Sequence, residues 1–193
     1  ITPEMAYSTD TLTCTASDIF DAEGQEVTLS YRWSINGTEQ AESSDTFAGP
    51  FAVGDEVVCE VTANDGNVDG VSVQASVTIQ NTVPVMDSVE ISPNASVEAN
   101  ALLECSAVSS DVDNEGLTTT YAWTDASGAV WGTESTLQLD ATMVSPDDVV
   151  NCTATVEDVH GAVASDAAQI TVVNTDPVVD NAAVIYGDSS VGS

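Results

Sequence analysis

The chain has 193 residues, 42% of them hydrophobic, which is enough for one large hydrophobic core or two ordinary ones. Asp and Glu number 32 against a single basic residue, Arg32, so the formal net charge is −31. One basic residue cannot neutralise a run of phosphates, so nucleic acid is excluded as a partner, an anionic membrane surface is disfavoured, and cations are the expected small partners.

In chain order, short runs of alternating apolar and polar residues predict β-strands. Apolar residues alternate with Thr and Ser around Cys14, again around Trp33, and again around Cys59. Turn-forming pairs punctuate these runs at Asn36-Gly37, Gly54-Asp55 and Asp65-Gly66. No window shows a sustained helical period, and no apolar run approaches the ~20 residues of a membrane span. We therefore expect an all-β fold in which each sheet has one solvent-exposed face, and we expect no membrane span.

The second half of the sequence repeats the first with a period of about ninety residues. Residues 59–84 align with residues 152–177 without a gap, which pairs Asp65 with Asp158 and ends both copies on Asn-Thr-x-Pro. The predicted domains are residues 1–84 and 85–177, followed at 178–193 by the start of a third repeat or a C-terminal donor-like strand. The first repeat lacks counterparts of residues 84–90, and we expect the chain to be part of a longer array.

The order Cys, Trp, Cys in each repeat resembles the immunoglobulin fold, in which a buried Trp packs against a disulfide between two sheets. The phrases DVDNEGLTTTYAW and GDEVVCEVTANDG are more similar to the tandem Ig-like repeats, related to PKD and cadherin-like modules, of large secreted bacterial or archaeal surface proteins. This resemblance implies two tandem Ig-like β-sandwich domains with Trp33 and Trp123 in their cores. Val57 and Val150 stand where a tyrosine corner would be, and the longer Cys-to-Trp spacing implies an enlarged loop.

Each repeat contains two of the four cysteines, at matching positions. They predict the disulfides Cys14–Cys59 and Cys105–Cys152, in line with the disulfide that the resemblance implies, whereas crossed pairs would require contact between separate domains. Zinc is disfavoured because the chain has no CxxC pair and one His. Buried free thiols are the alternative. Disulfides would place the protein outside a reducing cytosol, in the extracellular space or at the cell surface.

An acidic loop at residues 111–116, DVDNEG, carries carboxylates at alternating positions and could direct several oxygens at Ca²⁺. The EF-hand pattern is incomplete because its twelfth position falls on Ala122, so further ligands must come from the loop after the second Cys and from the linker. The predicted set in the second repeat resembles the interdomain calcium sites of cadherin-like proteins and consists of Asp87, Asp111, Asp113, Glu115 and Asp158.

The first repeat offers a matching acidic set. We align Asp21 and Glu23 with Asp113 and Glu115, and add Asp18 and Asp65 to the candidate ligands. Acidic turns are common in a chain this acidic, so solvated turns are the alternative to calcium. Three sequons permit N-glycosylation, at Asn36, Asn94 and Asn151.

The expected function is structural: a segment of a surface fibre, stalk or adhesin that spaces or assembles domains. The alternative is a calcium-dependent module that binds a glycan or surface protein, for which Trp131 is either a platform or part of the core. No enzyme is expected, since close carboxylate pairs arise by chance in so acidic a chain. We also expect neighbouring copies as partners, joined head to tail if residues 177–183 (PVVDNAA) of one molecule fill the gap before Ile1 of the next. A tail without a role in assembly is the alternative.

Overall fold

The protein is all-β. A computed structural model describes residues 1–175, and within them fourteen strands form four sheets. The same residues contain no helix that could cross a membrane. The predicted third-repeat or donor-like segment, 178–193, lies outside the described residues.

Domain 1 contains the first seven strands: β1 (Ala6–Tyr7), β2 (Leu12–Thr13), β3 (Thr28–Ile35), β4 (Thr38–Glu39), β5 (Thr46–Phe47), β6 (Glu56–Asn64) and β7 (Val73–Gln80). Five of them form a sheet in the order β1-β7-β6-β3-β4, and β2 pairs with β5 in a second, small sheet. All neighbours are antiparallel except β1 and β7, which run parallel.

Domain 2 contains the other seven: β8 (Val85–Ser92), β9 (Leu102–Ser110), β10 (Thr118–Asp125), β11 (Val130–Gly132), β12 (Thr136–Gln138), β13 (Val149–Glu157) and β14 (Val163–Thr171). One sheet has the order β11-β10-β13-β14 and the other β12-β9-β8. The apolar side chains of both sheets face each other, as alternating patterns in sandwiches do.

The two cores are built in the same way. Trp33 and Trp123 are fully buried, and each indole Nε1–H donates a 2.9 Å hydrogen bond to a backbone carbonyl, that of Ser44 in domain 1 and that of Glu134 in domain 2. One disulfide crosses each core beside its Trp, Cys14–Cys59 in domain 1 and Cys105–Cys152 in domain 2. The prediction of two Ig-like sandwiches with one disulfide each is confirmed.

The domains differ most in the smaller sheet, which has two strands in domain 1 and three in domain 2. In domain 2, β8 pairs with β9 from Val85 opposite Ser110 to Ser92 opposite Glu104. In domain 1 the counterpart of β9 is the two-residue β2, to which Thr2 adds a single bridge at Thr13. No strand among residues 1–175 lies in domain 1 where β8 lies in domain 2.

Candidate functional site at the domain junction

The acidic loop after β9 folds into an Asx-type turn. Oδ1 of Asp111 accepts a 2.7 Å hydrogen bond from the N–H of Asp113, and the carbonyl of Asp111 accepts one from the N–H of Asn114 at 3.3 Å. Asn114 has φ of 57°, a left-handed conformation that Asn adopts more readily than most residues. Short-range hydrogen bonding by Asp111 therefore sets the course of the loop and the position of Asp113.

Asp113 joins the two domains. Its Oδ1 accepts a hydrogen bond from the hydroxyl of Ser8, in the turn between β1 and β2, and its Oδ2 accepts one from the N–H of Thr82 at 2.6 Å. Both donors belong to domain 1, whereas the acceptor belongs to domain 2. Hydrogen bonds to an ionised carboxylate are shorter and stronger than neutral ones. One side chain thus holds two separate segments of the neighbouring domain.

Asp158 forms a second connection. Only 6% of it is exposed, and its Oδ2 accepts a 2.8 Å hydrogen bond from Nδ2 of Asn81 in domain 1. Its Oδ1 accepts the N–H groups of His160 and Ala162 at 2.8 and 2.9 Å. The hydrogen bond from Asn81, followed by those from the backbone of Ala162 and His160, holds the pKa of Asp158 below its ordinary value, although burial acts in the opposite direction. Asp158 is therefore ionised at neutral pH.

Three buried oxygens at the junction have no hydrogen-bond partner in the described part of the chain: Asn81 Oδ1, Asp111 Oδ2 and Glu115 Oε2. The other carboxylate oxygen of Glu115 lies 2.9 Å from Nε2 of His160. All three unpartnered atoms are acceptors, and leaving a buried acceptor without a donor is unfavourable. Carboxylate and amide oxygens are the ligands that Ca²⁺ prefers.

The predicted calcium ligands are not all brought together. No three His, Cys, Asp or Glu side chains within residues 1–175 are grouped so that they could hold a metal ion. Asp87 is exposed in β8 at an irregularity between Met86 and Ser88, and it takes part in none of the junction hydrogen bonds described above. The junction oxygens that could face a cation therefore include the amide of Asn81, which the sequence did not identify.

The corresponding loop of domain 1 has the same turn. Oδ1 of Asp21 accepts the N–H of Glu23 at 2.9 Å, and the carbonyl of Asp21 accepts the N–H of Gly24 at 3.2 Å. Gly24 has φ of 79° and stands where Asn114 stands in domain 2. The hydrogen-bond pattern of Asp21 is thus that of Asp111.

This turn corrects the predicted alignment of the two acidic loops. Asp21 in domain 1 corresponds to Asp111 in domain 2, and Glu23 corresponds to Asp113. The alignment of Asp21 with Asp113, and of Glu23 with Glu115, is wrong by two residues. Because carboxylates occur at every second position, two alignments of these loops that differ by two residues match equally well in the sequence.

A further pair of equivalent contacts links the two loops at this end of each sandwich. In domain 1, Nδ2 of Asn67 donates a 2.9 Å hydrogen bond to Oε1 of Gln25. In domain 2, His160 and Glu115 occupy the same positions and lie at the same distance. We call each pair the loop latch. Domain 1 has a neutral latch, whereas domain 2 has one built from two ionisable side chains.

Asp65 holds the second loop of domain 1 in the way that Asp158 does in domain 2. Its carboxylate accepts the N–H groups of Val68 and Asn67, and these hydrogen bonds lower the pKa of Asp65. Asp21 and Asp65 line one open pocket. Asp18 is exposed, accepts a hydrogen bond from the hydroxyl of Ser17 at 3.2 Å, and lines a separate groove.

The sequons and Trp131 lie away from the junction. Asn36 is exposed but both ends of its amide are engaged, with Nδ2 donating to Asp55 and Oδ1 accepting the N–H of Glu56. Asn94 is exposed. Asn151 is half-buried in β13, and Trp131 is partly buried against the core of domain 2.

Sequence reasoning missed the domain 1 side of the junction, which consists of Ser8, Asn81 and Thr82. The signal was present in part, because Asn-Thr-x-Pro recurs at the end of both repeats. The alignment of the repeats shows this match but assigns it no role. The latch contact between the side chains of His160 and Glu115 was not predicted either.

Comparison with known proteins gives no family. Neither a family model nor a curated protein matches the chain. Among solved structures, the structure of the amphioxus IgVJ-C2 molecule aligns with 88% of this chain and 98% of its own, at 14% identity and a TM-score of 0.38. A likeness this loose carries no inference about what the present chain does.

Proposed function

We propose that the chain is a structural spacer in an extracellular fibre, stalk or adhesin, and that its two Ig-like domains are held in one fixed relation. The observation that supports this most directly is Asp113, which binds Ser8 and Thr82 of the neighbouring domain at once. Two disulfides suit an oxidising compartment. The Ig-like fold is typically non-catalytic, and the proposed role includes no reaction.

The linker leaves little freedom between the domains. β7 ends at Gln80 and β8 begins at Val85, so only residues 81–84 connect them. The first two of these residues are hydrogen-bonded to domain 2, and the last is a buried proline, whose ring fixes its φ angle. Since few backbone dihedrals remain free, the domains should move as one body.

Residual dipolar couplings from NMR test this proposal, because a rigid pair of domains shares one alignment tensor. We expect one tensor for the native chain and two different tensors for the double variant Asn81→Ala with Asp113→Ala. The exposed Asp87→Ala serves as the control and should keep a single tensor. Two tensors of different magnitude in the native chain would contradict the spacer function.

The second candidate is a calcium-dependent module that binds a glycan or another protein. It is favoured by the three unpartnered buried oxygens of Asn81, Asp111 and Glu115, which are the residues that would hold the ion. A bound Ca²⁺ would supply the positive charge that these acceptors lack and would order the loops that carry them. The protein has few positive charges of its own that could neutralise these oxygens in place of Ca²⁺, since the chain has one basic residue apart from its single His.

Thermal unfolding with Ca²⁺ or NaCl at equal ionic strength tests the second candidate. A specific ion at ten times its Kd stabilises the folded state by about 1.4 kcal/mol, whereas screening does not distinguish the salts. For a domain of this size, each kcal/mol raises Tm by roughly 4–8 °C. Glu115→Gln should abolish the difference, and Asp18→Ala should preserve it. Equal effects of the two salts on the native chain would show that the site does not bind calcium.

A further inference from the structure

Domain 2 carries a pocket beside the hairpin between β10 and β11, at the end of the sandwich away from the junction. β10 leaves the acidic loop at Thr118 and reaches this pocket at Asp125. The pocket has a volume of about 280 Å³, somewhat below the roughly 300–1,000 Å³ of most small-molecule sites, so it suits a single side chain. We call it the hairpin pocket, and its lining includes Asp125, Ser127, Trp131, Met143 and Asp148.

Domain 1 shows which chemical group occupies the same corner there. Counting from equivalent strand pairs gives three correspondences: Ile35 with Asp125, Asn36 with Ala126, and Asp55 with Asp148. In domain 1, Nδ2 of Asn36 donates a 2.7 Å hydrogen bond to Oδ1 of Asp55. Ala126 has no such amide. Domain 2 has therefore lost the N–H donor of this corner and has gained a second carboxylate in place of an aliphatic side chain.

Each of the two carboxylates has one oxygen engaged by its own loop. Oδ1 of Asp125 accepts the N–H and the hydroxyl of Ser127 at 2.8 and 2.7 Å and the N–H of Ala129 at 2.9 Å. Oδ2 of Asp148 accepts the N–H of Ser145 at 2.8 Å. The hydroxyl of Ser127, followed by the N–H of Ala129, lowers the pKa of Asp125. The remaining oxygens, Asp125 Oδ2 and Asp148 Oδ1, accept no hydrogen bond from residues 1–175.

The chain has no spare cation for this pocket. Its one Lys or Arg residue is Arg32, in domain 1, whose guanidinium lies 3.6 Å from the carboxylate of Glu39 and 3.5 Å from that of Glu60. The single His, His160, contacts Glu115 at the other end of domain 2. A second copy of the chain has the same engaged Arg32, so a cation in the pocket would come from a different molecule.

We propose that the hairpin pocket binds an arginine side chain of a partner protein. The guanidinium would donate N–H groups to Oδ2 of Asp125 and Oδ1 of Asp148, in place of the amide that Asn36 supplies in domain 1. A planar guanidinium also packs favourably on an aromatic ring, which Trp131 provides. The net charge of −31 attracts a partner with a basic surface and speeds its association.

The same corner of domain 1 is accessible although another domain follows it. Asn36 and Gly37 are exposed, and the junction hydrogen bonds come instead from Ser8, Asn81 and Thr82. The corner thus lies outside the contact between successive domains. The inference goes beyond the spacer function, because it adds a binding site that requires neither a rigid junction nor calcium.

NMR titration of the isotope-labelled chain with the peptide acetyl-Gly-Arg-Gly-amide tests the proposal. In about 0.15 M NaCl, where screening limits unspecific attraction to the acidic surface, the peptide should shift the amide signals of residues 125–131 and the indole N–H signal of Trp131. The same peptide with citrulline in place of arginine keeps the shape and lacks the charge. It should bind roughly tenfold more weakly or less, since hydrogen bonds between charged groups are the stronger ones.

Ala126→Asn is the decisive variant, because it restores the amide of domain 1 without changing the net charge. It should weaken binding of the arginine peptide roughly tenfold, the contribution of one hydrogen bond to a charged group. Ala129→Asn is the matched control in the same hairpin and should bind as the native chain does. The amide spectra report whether both variants fold.

Three results would overturn the proposal. The first is an arginine peptide that shifts no signal of the hairpin pocket, and the second is equal binding of the arginine and citrulline peptides. The third is binding that Ala126→Asn leaves intact while its spectrum shows the native fold. Chitobiose, a neutral disaccharide, provides a further arm. If it shifts the indole signal of Trp131 and the arginine peptide does not, the pocket takes a glycan and the basic protein partner is excluded.

Discussion

Asn81 and Asp158 lie 77 positions apart in the sequence, and Nδ2 of Asn81 donates a 2.8 Å hydrogen bond to Oδ2 of Asp158. This contact ties the residue after β7 to the turn after β13. Only 6% of Asp158 is exposed, so its negative charge depends on that amide and on two backbone N–H groups rather than on water. The strength of the junction is consequently linked to the ionisation of one carboxyl group.

Acid should weaken this junction. The pKa of Asp158 lies below its ordinary value, chiefly because of the hydrogen bond from Asn81. The ionised group therefore contributes stability above the ordinary aspartate pKa of about 3.9, and this contribution is lost as the pH falls through the lower folded-state pKa. Asp158→Asn places a second amide against Asn81. It should lower Tm at pH 7 and change it little at about pH 2, as calorimetry can measure.

Asp87→Asn is the control for this pH dependence. Asp87 is exposed in β8, and its replacement should alter Tm little at either pH. If Asp158→Asn destabilises the protein equally at both pH values, the effect comes from packing and the charge at this position is irrelevant.

The disulfides should contribute substantially to stability. Cys14 and Cys59 are separated by 45 positions, and closing a loop of that length constrains the unfolded chain by about 4 kcal/mol in the chain-entropy model. We expect Cys14→Ala with Cys59→Ala to reduce the free energy of unfolding of domain 1 by about this amount in urea titrations. Domain 2 should unfold as before, and a loss under about 1 kcal/mol would contradict the estimate.

The hairpin between β3 and β4 depends on Asn36. Asn36 and Gly37 have φ of 50° and 77° between the paired residues Ile35 and Thr38, the pattern of a two-residue type I′ turn. Asn36→Ala removes both amide hydrogen bonds and a residue suited to positive φ. It should destabilise domain 1 by roughly 1–2 kcal/mol in urea titrations.

Asn36→Asp is the matched comparison, since it retains an acceptor for the N–H of Glu56 and loses the donor to Asp55. Its cost should exceed that of Asn94→Asp, which alters an exposed sequon. Equal stability of Asn36→Ala and the native chain would rule out this role.

The loop latch should tolerate exchange between the domains. His160 and Glu115 in domain 2 take the positions of Asn67 and Gln25 in domain 1, and the side chain of His160 is 41% exposed. A double-mutant cycle with His160→Ala and Glu115→Ala should give a coupling of roughly 0.2–1 kcal/mol, as for other partly exposed pairs. The double variant Glu115→Gln with His160→Asn should fold with Tm close to native. A large loss of Tm would show that the ionisable pair is required.

Much of the fold was predictable because it depends on local periodicity and on rare residues. Alternating apolar positions and one Cys, Trp, Cys set per repeat led to two sandwiches with their disulfides. Trp33 and Trp123 are buried as expected, since a large indole ring fills the space beside each disulfide.

The junction was harder to predict because its contacts join residues that are distant in sequence and common in type. Asp113 and Asp158 are predicted as calcium ligands, but nothing local marks Ser8 or Asn81 as their hydrogen-bond donors. The predicted alignment of the two acidic loops is shifted by two residues, because Asp and Glu are so frequent in this chain that both alignments match. Geometry of the turn at Asp111, rather than composition, sets the correct register.

The two repeats differ in the length of the segment that follows the strand carrying the buried Trp. Trp33 pairs with Cys59 and Trp123 with Cys152, in the same register, although the members of the second pair lie three positions further apart in sequence. The additional residues lie between β10 and β13, while the turns and latch at the end of each sandwich are kept. The segment between these two strands can therefore change in length and chemistry without altering the loops through which one domain meets the next.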